Sequence, residues 1–318
     1  MGKITNKHDS FLRKVLADKQ VAIDYFRSAL PAHIAGMLDF STLEPLPGTY
    51  VSKDLQTTVS DVVYTCQRRD GRGSVHICLL VEHKSAPDKY TPVQIGGYIF
   101  SGYGQQIRQR RKQRIKQRLS PIIPILFYHG KQQWEYWTLD RLFDGLEDGL
   151  LGFLPNFDYI YANLRDTPDG VIKAMGNRYL ASALLMMKHA LDKRRLKELI
   201  AEILSIGLRY GSDDQGKSMV VYTFEVAELT EEEIEKVLDS LSPEDKEKVM
   251  STYDLLIEKG AEKGRREERA RAQRLIEQER AKAYAEKLKS ALKMKNSGFD
   301  NAMIADVLEL PIEEVEKL

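Results

Sequence analysis

Val59-Ser60-Asp61-Val62-Val63-Tyr64-Thr65-Cys66 and Val75-His76-Ile77-Cys78-Leu79-Leu80-Val81-Glu82-His83-Lys84 decide the fold of this chain. Both runs are rich in β-branched and aliphatic residues, and Arg69-Asp70-Gly71-Arg72-Gly73 between them supplies the glycines of a tight reversal, so the spacing predicts a β-hairpin. Side chains alternate across a strand. Asp61 therefore shares a face with Val59 and Val63, and Glu82 shares one with Cys78, Leu80 and Lys84. Because both faces of each strand are largely apolar, the hairpin is expected to lie between helices rather than half open to water.

Two carboxylates in such surroundings need compensation, since like charges in a dry site do not both ionise cheaply. A divalent cation removes the conflict. One or two carboxylates, with waters and substrate phosphate completing an octahedron, are the usual environment of Mg²⁺, and Mn²⁺ fits similarly. Such an ion lowers the pKa of a coordinated water and offsets charge on a phosphate. Lys84, two residues after Glu82, is placed to orient or deprotonate that water or to neutralise developing charge. Gln94 and Tyr98 follow in Gln94-Ile95-Gly96-Gly97-Tyr98, at helical spacing where the next helix is expected to begin.

Asp61, then Glu82-x-Lys84 at the end of the next strand, resembles the metal site of the PD-(D/E)xK nuclease superfamily, with Ser60 in place of the proline. Gln94-x-x-x-Tyr98 is similar to the QxxxY element of one branch, whose side chains touch the nucleic-acid backbone near the metal. Three further stretches narrow the likeness: His8-Asp9-Ser10-Phe11-Leu12-Arg13-Lys14, Val81-Glu82-His83-Lys84-Ser85, and Pro121-Ile122-Ile123-Pro124-Ile125-Leu126-Phe127-Tyr128-His129-Gly130. They resemble the Rpn family, the recombination-promoting nucleases also labelled YhgA-like transposases. The likeness is strongest through about residue 210 and returns from Gly298 to Leu318. It implies a bacterial, DNA-cleaving, divalent-cation-dependent protein with a restriction-endonuclease-like core and a role in recombination or mobile elements. Many relatives carry glutamine where this chain has Lys84, and the lysine favours an intact site.

Asp9 has two readings. It precedes the amphipathic stretch Phe11, Leu12, Val15, Leu16, where it would N-cap a helix, and it would also serve as the first-helix acid that completes some superfamily metal sites. His8 and His83 read as partners of carboxylates or surface groups rather than ligands, with His83 facing away from Glu82. Cys66 and Cys78 fit no zinc spacing and are expected as reduced thiols.

Gln105 to Arg118 carries Arg108, Arg110, Arg111, Lys112, Arg114, Lys116 and Arg118 with no acid, in a chain whose net charge is only +1. A nucleic-acid surface must therefore be local, and this stretch is the candidate DNA contact. Phosphate contacts give affinity and salt sensitivity without reading sequence, so weak base specificity is expected. Tyr90, Tyr98 and Tyr103 are candidates for stacking on bases.

With 318 residues the chain has room for one full core and an appendage. No apolar run reaches transmembrane length and the hydrophilic start lacks a signal-peptide pattern, so a cytoplasmic protein without membrane contact is expected. With the hairpin, helices from Asp9 to Leu30 and Pro92 to about Arg118, a buried strand from Pro121 to Tyr128, and edge strands at Trp134 to Leu139 and Phe157 to Leu164 give a mixed sheet with helices on its faces. The expected class is α/β (α+β), with a mixed central sheet flanked by helices and a helical C-terminal extension. Three regions are expected: 1–212 as the nuclease domain with a helical second lobe, 213–293 as a charged helical extension, and 294–318 as a small helix-turn-helix-like element suited to interaction. The charged helix buries little and invites pairing with another chain, so a homo-oligomer through the C-terminal helices is expected. The resulting functional expectation is a Mg²⁺-dependent DNA endonuclease of low sequence specificity. The alternatives are a catalytically inactive DNA- or partner-binding protein and a nuclease acting on RNA.

Overall fold

Three helices, α1 (Lys7–Val15), α2 (Lys19–Ala29) and α3 (Ala32–Gly36), lead into β1 (Leu38–Pro45), β2 (Val59–Arg68) and β3 (Ser74–Glu82) in this computed structural model. It describes residues 7–46, 59–82, 87–114 and 118–318, with the side chains of 59–61, 78–82, 259, 263, 272, 275 and 276 outside that description. The expected helix from Asp9 to Leu30 is two helices. The first ends at Val15, and Asp18 caps the second by accepting from the Val21 N–H at 3.0 Å, a role this residue fills better than a place in a helix interior.

The hairpin turns at Gly71 and Gly73, whose φ values of +69° and +103° are conformations that only glycine adopts without strain. Its strands pair antiparallel from Val59↔Glu82 to Gln67↔Ser74. The long helix α4 (Thr91–Gln113) follows, then β4 (Ile122–Tyr128), the short α5 (Asp148–Leu151) and β5 (Ile160–Asn163). The sheet order is β1-β2-β3-β4-β5, antiparallel across β1, β2 and β3 and parallel across β3, β4 and β5, so it is mixed as expected. Residues 134–139 form no strand. Their carbonyls are used otherwise: the Tyr161 hydroxyl donates to the Trp134 carbonyl at 3.1 Å and that of Tyr159 to the Trp137 carbonyl at 2.7 Å, while the Trp134 ring plugs the core.

Each face of the sheet is covered. Tyr64, Cys66, Val75, Ile77, Ile125 and Phe127 pack into the larger core with Leu12 of α1 and Phe26 of α2. That core continues through α6 (Asp169–Lys173), α7 (Arg178–His189), α8 (Lys193–Tyr210) and α9 (Asp213–Ala227), which contribute Leu184, Ile203 and Met219 among others. On the opposite face Val63, Leu126 and Tyr128 pack against Ile95, Tyr98 and Ile99 of α4. Cys66 is a free buried thiol whose pKa is raised by that burial.

The chain forms two compact units, Met1–Tyr253 and Asp254–Leu318. The first therefore runs beyond residue 212, where Ser212 and Gln215 form a capping box that starts α9; the break in hydrophobicity there begins a core helix rather than ending a domain. It continues through α10 (Glu231–Asp239) into α11 (Pro243–Asn296). In the second unit the end of α11 packs with α12 (Asn301–Leu308) and α13 (Ile312–Lys317) around Ala291, Ile304, Leu310 and Val315. The turn between α12 and α13 falls at Leu310-Pro311. No helix among the described residues is long and apolar enough to cross a membrane.

Candidate functional site

The pairing register fixes where the two acids stand on the sheet. Asp61 lies opposite Leu80 and Val59 opposite Glu82. Residues directly opposite, and those two apart on one strand, share a face, so positions 61 and 82 fall on one face as diagonal neighbours. Such neighbours have Cα atoms about 7–8 Å apart. Val63, the next residue along that face, is buried against Ile95, Tyr98 and Ile99, so this is the face covered by α4. The backbones of Asp61 and Glu82 are described and their side chains are not; Lys84 and His83 lie outside the described residues.

Four neighbouring elements complete this corner. The parallel register pairs Val81 with Phe127, which sets Glu82 level with Tyr128 at the end of β4. Just beyond it the His129 ring lies 4.7 Å from that of His8 on α1, whose Nδ1 is 2.6 Å from the Tyr222 hydroxyl of α9. Phe11 stacks on Tyr222 with ring centroids 4.0 Å apart. The start of α1 is thereby pinned at the same end of the sheet as Glu82. Asp9, its neighbour, is buried inside α1 rather than capping it, and its Oδ1 accepts from Arg13 Nε at 3.0 Å. The cap reading of Asp9 gives way because the helix already begins at Lys7.

The helix α4 brings Gln94 and Tyr98 to this face. Tyr98 is 2 % exposed and packs beside Val63 and Tyr128. Gln94, one turn nearer the helix start, donates from Nε2 to Asp88 Oδ2 at 3.1 Å, while its Oε1 is buried with no hydrogen-bond partner among the described residues. A buried amide oxygen without a donor is costly unless something else meets it. Asp88 also accepts from the Tyr90 N–H at 2.9 Å and so holds the helix entrance. The sequence signal for Asp88 was its place two residues ahead of the helix entrance, where an aspartate accepts from the backbone N–H two residues on. Two other residues carried no comparable signal: His129, which enters through tertiary packing, and Gln106, described next.

At its far end α4 is tied down by Gln106. Its amide accepts from the Ser120 N–H at 2.8 Å, donates to the Ser120 carbonyl at 3.0 Å, and lies 3.2 Å from His76 Nδ1. Burial, and then the charge of Arg110, pushes the His76 pKa down to about 4, so its Nδ1 accepts from the amide. The basic stretch is not one continuous helix. It stops at Gln113, where Arg114 adopts a left-handed φ of 54°. Arg108, Arg111, Lys112 and Arg114 are exposed, Arg110 is half-buried and reaches toward Ser120 Oγ at 3.5 Å, and Arg118 is exposed in the segment leading to β4. Lys116 lies outside the described residues.

Among the described residues no group of three or more His, Cys, Asp or Glu side chains is arranged to hold a metal ion. The donor chemistry available at positions 61 and 82, and in the amide oxygen of Gln94 on the helix that covers their face, is all hard oxygen and suits Mg²⁺ or Mn²⁺ rather than a soft ion.

A family model described as "Putative transposase, YhgA-like" matches residues 6–216. Among curated proteins, the chain is 26 % identical over 80 % of its length to the recombination-promoting nuclease RpnA of Escherichia coli K12, covering 84 % of that protein. It is 24 % identical over 77 % of its length to RpnD of Escherichia coli O157:H7, covering 91 % of that nuclease. It is also 23 % identical over 96 % of its length to the inactive recombination-promoting nuclease-like protein RpnE of Escherichia coli K12, covering 95 % of it. No solved structure gives a significant match. The mixed sheet with helices on both faces, the family match over most of the chain and the relatives aligned over 77 to 96 % of it lead to one conclusion: the chain belongs to the YhgA-like transposase family, together with the recombination-promoting nucleases.

Proposed function

We propose that this chain is a metal-dependent DNA endonuclease of low sequence specificity that acts in recombination or on mobile elements. The observation that carries the reading is the β2/β3 register, which sets positions 61 and 82 as diagonal neighbours on the face beneath α4. Asp61 and Glu82 would hold one divalent ion, with Asp9 as a further oxygen donor. When bound, that ion supplies a more acidic water and neutralises charge on the scissile phosphate. Lys84 orients the attacking water or takes its proton. Gln94 offers its amide oxygen to the same site, and Tyr98 supports the face on which substrate rests. Arg108, Arg110, Arg111, Lys112, Arg114, Lys116 and Arg118 hold the phosphate backbone by charge, which gives affinity without base reading.

The test is conversion of supercoiled plasmid to nicked or linear forms with Mg²⁺, with EDTA, and with the Asp61→Ala and Glu82→Ala chains. Cleavage should require the ion and be lost in each variant; undiminished cutting by either variant rejects the assignment. The name of RpnE, similar to this chain over nearly its whole length, favours a second reading as a non-catalytic binding protein. That reading predicts salt-sensitive DNA retention with no metal-stimulated product and no effect of the Asp61 change. Single-stranded DNA, duplex DNA and RNA offered side by side separate the substrate classes.

A further inference from the structure

The outward face of α4 is apolar although its inward face is already packed. Val93, Phe100 and Ile107 are 54 %, 59 % and 38 % exposed. They recur every seven residues, with Gly97 and Gly104 at the intervening steps, so the five positions form one stripe along the helix. Large apolar ridges thus alternate with glycine notches. Gly97 is exposed, and a Cβ at Gly104 would meet only the flexible end of Arg108, at 3.4 Å.

A second exposed apolar patch follows β4. Within the segment after β4, residues 140–153 expose Phe143, Leu150, Leu151 and Phe153, the last 84 % exposed, and carry Asp140, Asp144, Glu147 and Asp148 against the single cation Arg141. Phe157 in the same segment lies against α4, 3.1 Å from where a Cβ of Gly96 would stand. The charges of the two patches are opposite, because no acid occurs between Asp88 and Glu135 while the end of α4 is dense in arginine. Exposed apolar patches of this kind mark surfaces that are covered in use.

We propose that this surface joins two copies of the chain as a two-fold dimer. In it, Phe100 of each copy seats in the glycine notches of the other, and the acidic 140–148 segment of each faces the basic end of the other's α4, where it competes with DNA phosphate for the same cations. A two-fold interface needs a surface complementary to itself, in which residue i meets j and j meets i. This chain carries both ridge and notch, and both signs of charge. DNA suits the stripe less well, since Val93, Phe100 and Ile107 offer a phosphate no donor and the acidic segment repels it. Such a dimer forms whether or not the chain cleaves DNA.

Sedimentation velocity of the full chain is the test. A two-chain mass is expected, falling to one chain in Phe100→Glu and independently in Ile107→Lys, with far-UV circular dichroism unchanged because both positions face outward. Reversing Asp144 and Asp148 to lysine should weaken association by about tenfold or more through repulsion from the basic helix. A single-chain mass for the unaltered protein overturns the proposal, as does a two-chain mass that survives both α4 changes, which would move the contact to the C-terminal helices. Loss of DNA retention in Phe100→Glu with no change in mass also overturns it and assigns the stripe to nucleic acid.

Discussion

Replacing Gln106 by alanine should uncouple the basic end of α4 from the sheet. Gln106 and Ser120 are 3 % and 7 % exposed, and the amide both accepts from the Ser120 N–H and donates to the Ser120 carbonyl. This two-way contact fixes the amide's orientation, and it leaves His76 Nδ1 to accept from the same NH₂ group. Without the side chain, two buried main-chain groups lose their partners at about 1–3 kcal/mol each, whereas half-buried His76 can turn to water. The cost should be about 3 kcal/mol. Urea denaturation followed by tryptophan fluorescence measures it well, because both tryptophans, Trp134 and Trp137, lie in the first unit and Trp134 is buried against α4's inner face. The midpoint should drop by about 1 M or more at unchanged slope. Gln109→Ala, at an exposed position, should change nothing. A loss below about 0.5 kcal/mol in Gln106→Ala would refute the claim that this amide anchors the helix.

Three further outcomes follow from the same geometry. His76 titrates near 4 when folded, against 6.5 when free, so the unfolded chain takes up the proton first; its contribution is complete above pH 6.5 and is lost as pH falls from 6.5 through 4. Screening of a half-buried ring reduces this to about 1–2 kcal/mol, and the stability difference between His76→Asn and the parent should shrink by that amount across the window, as read by urea midpoints at each pH. Gly130→Ala would drive a Cβ into the Tyr128 ring, whose hydroxyl donates to the Gln132 carbonyl at 2.9 Å, and should cost about 1–3 kcal/mol in thermal or urea unfolding because the ring is fully buried level with Glu82. Changing Arg108, Arg111 and Lys112 together to alanine should lower the slope of log affinity against log salt by about 0.9 for each phosphate that is no longer neutralised, measured by filter binding across salt concentrations, with no change in sequence preference.

The parts of the fold carried by local pattern were legible in the residues. Apolar runs bounded by glycines marked β2, β3 and β4 nearly to their ends, since buried strands leave few polar residues and a φ of +69° at Gly71 leaves little choice of residue. The strand ahead of the hairpin, Leu38–Pro45, was not read from the residues, because its bulge between Asp39 and Glu44 blurs the alternation. Trp134 to Leu139 carried strand-like residues but no ladder, because a tyrosine hydroxyl serves a carbonyl as well as a neighbouring strand does. The shared face of Asp61 and Glu82 followed from period-two alternation once the hairpin register was known. Asp9 was harder to read: a carboxylate near a helix start looks alike whether it caps the helix or sits in its first turn paired with Arg13. Contacts made across the chain, such as His8 with Tyr222, have no local signature.

Manganese binding tests most directly whether Asp61 and Glu82 share one ion. Electron paramagnetic resonance of free Mn²⁺ titrated with the protein should reveal one bound equivalent per chain, weakened by at least about tenfold in both Asp61→Asn and Glu82→Gln while each variant keeps the parent's unfolding midpoint. Equal binding by the parent and both variants would contradict a metal site at the β2/β3 register.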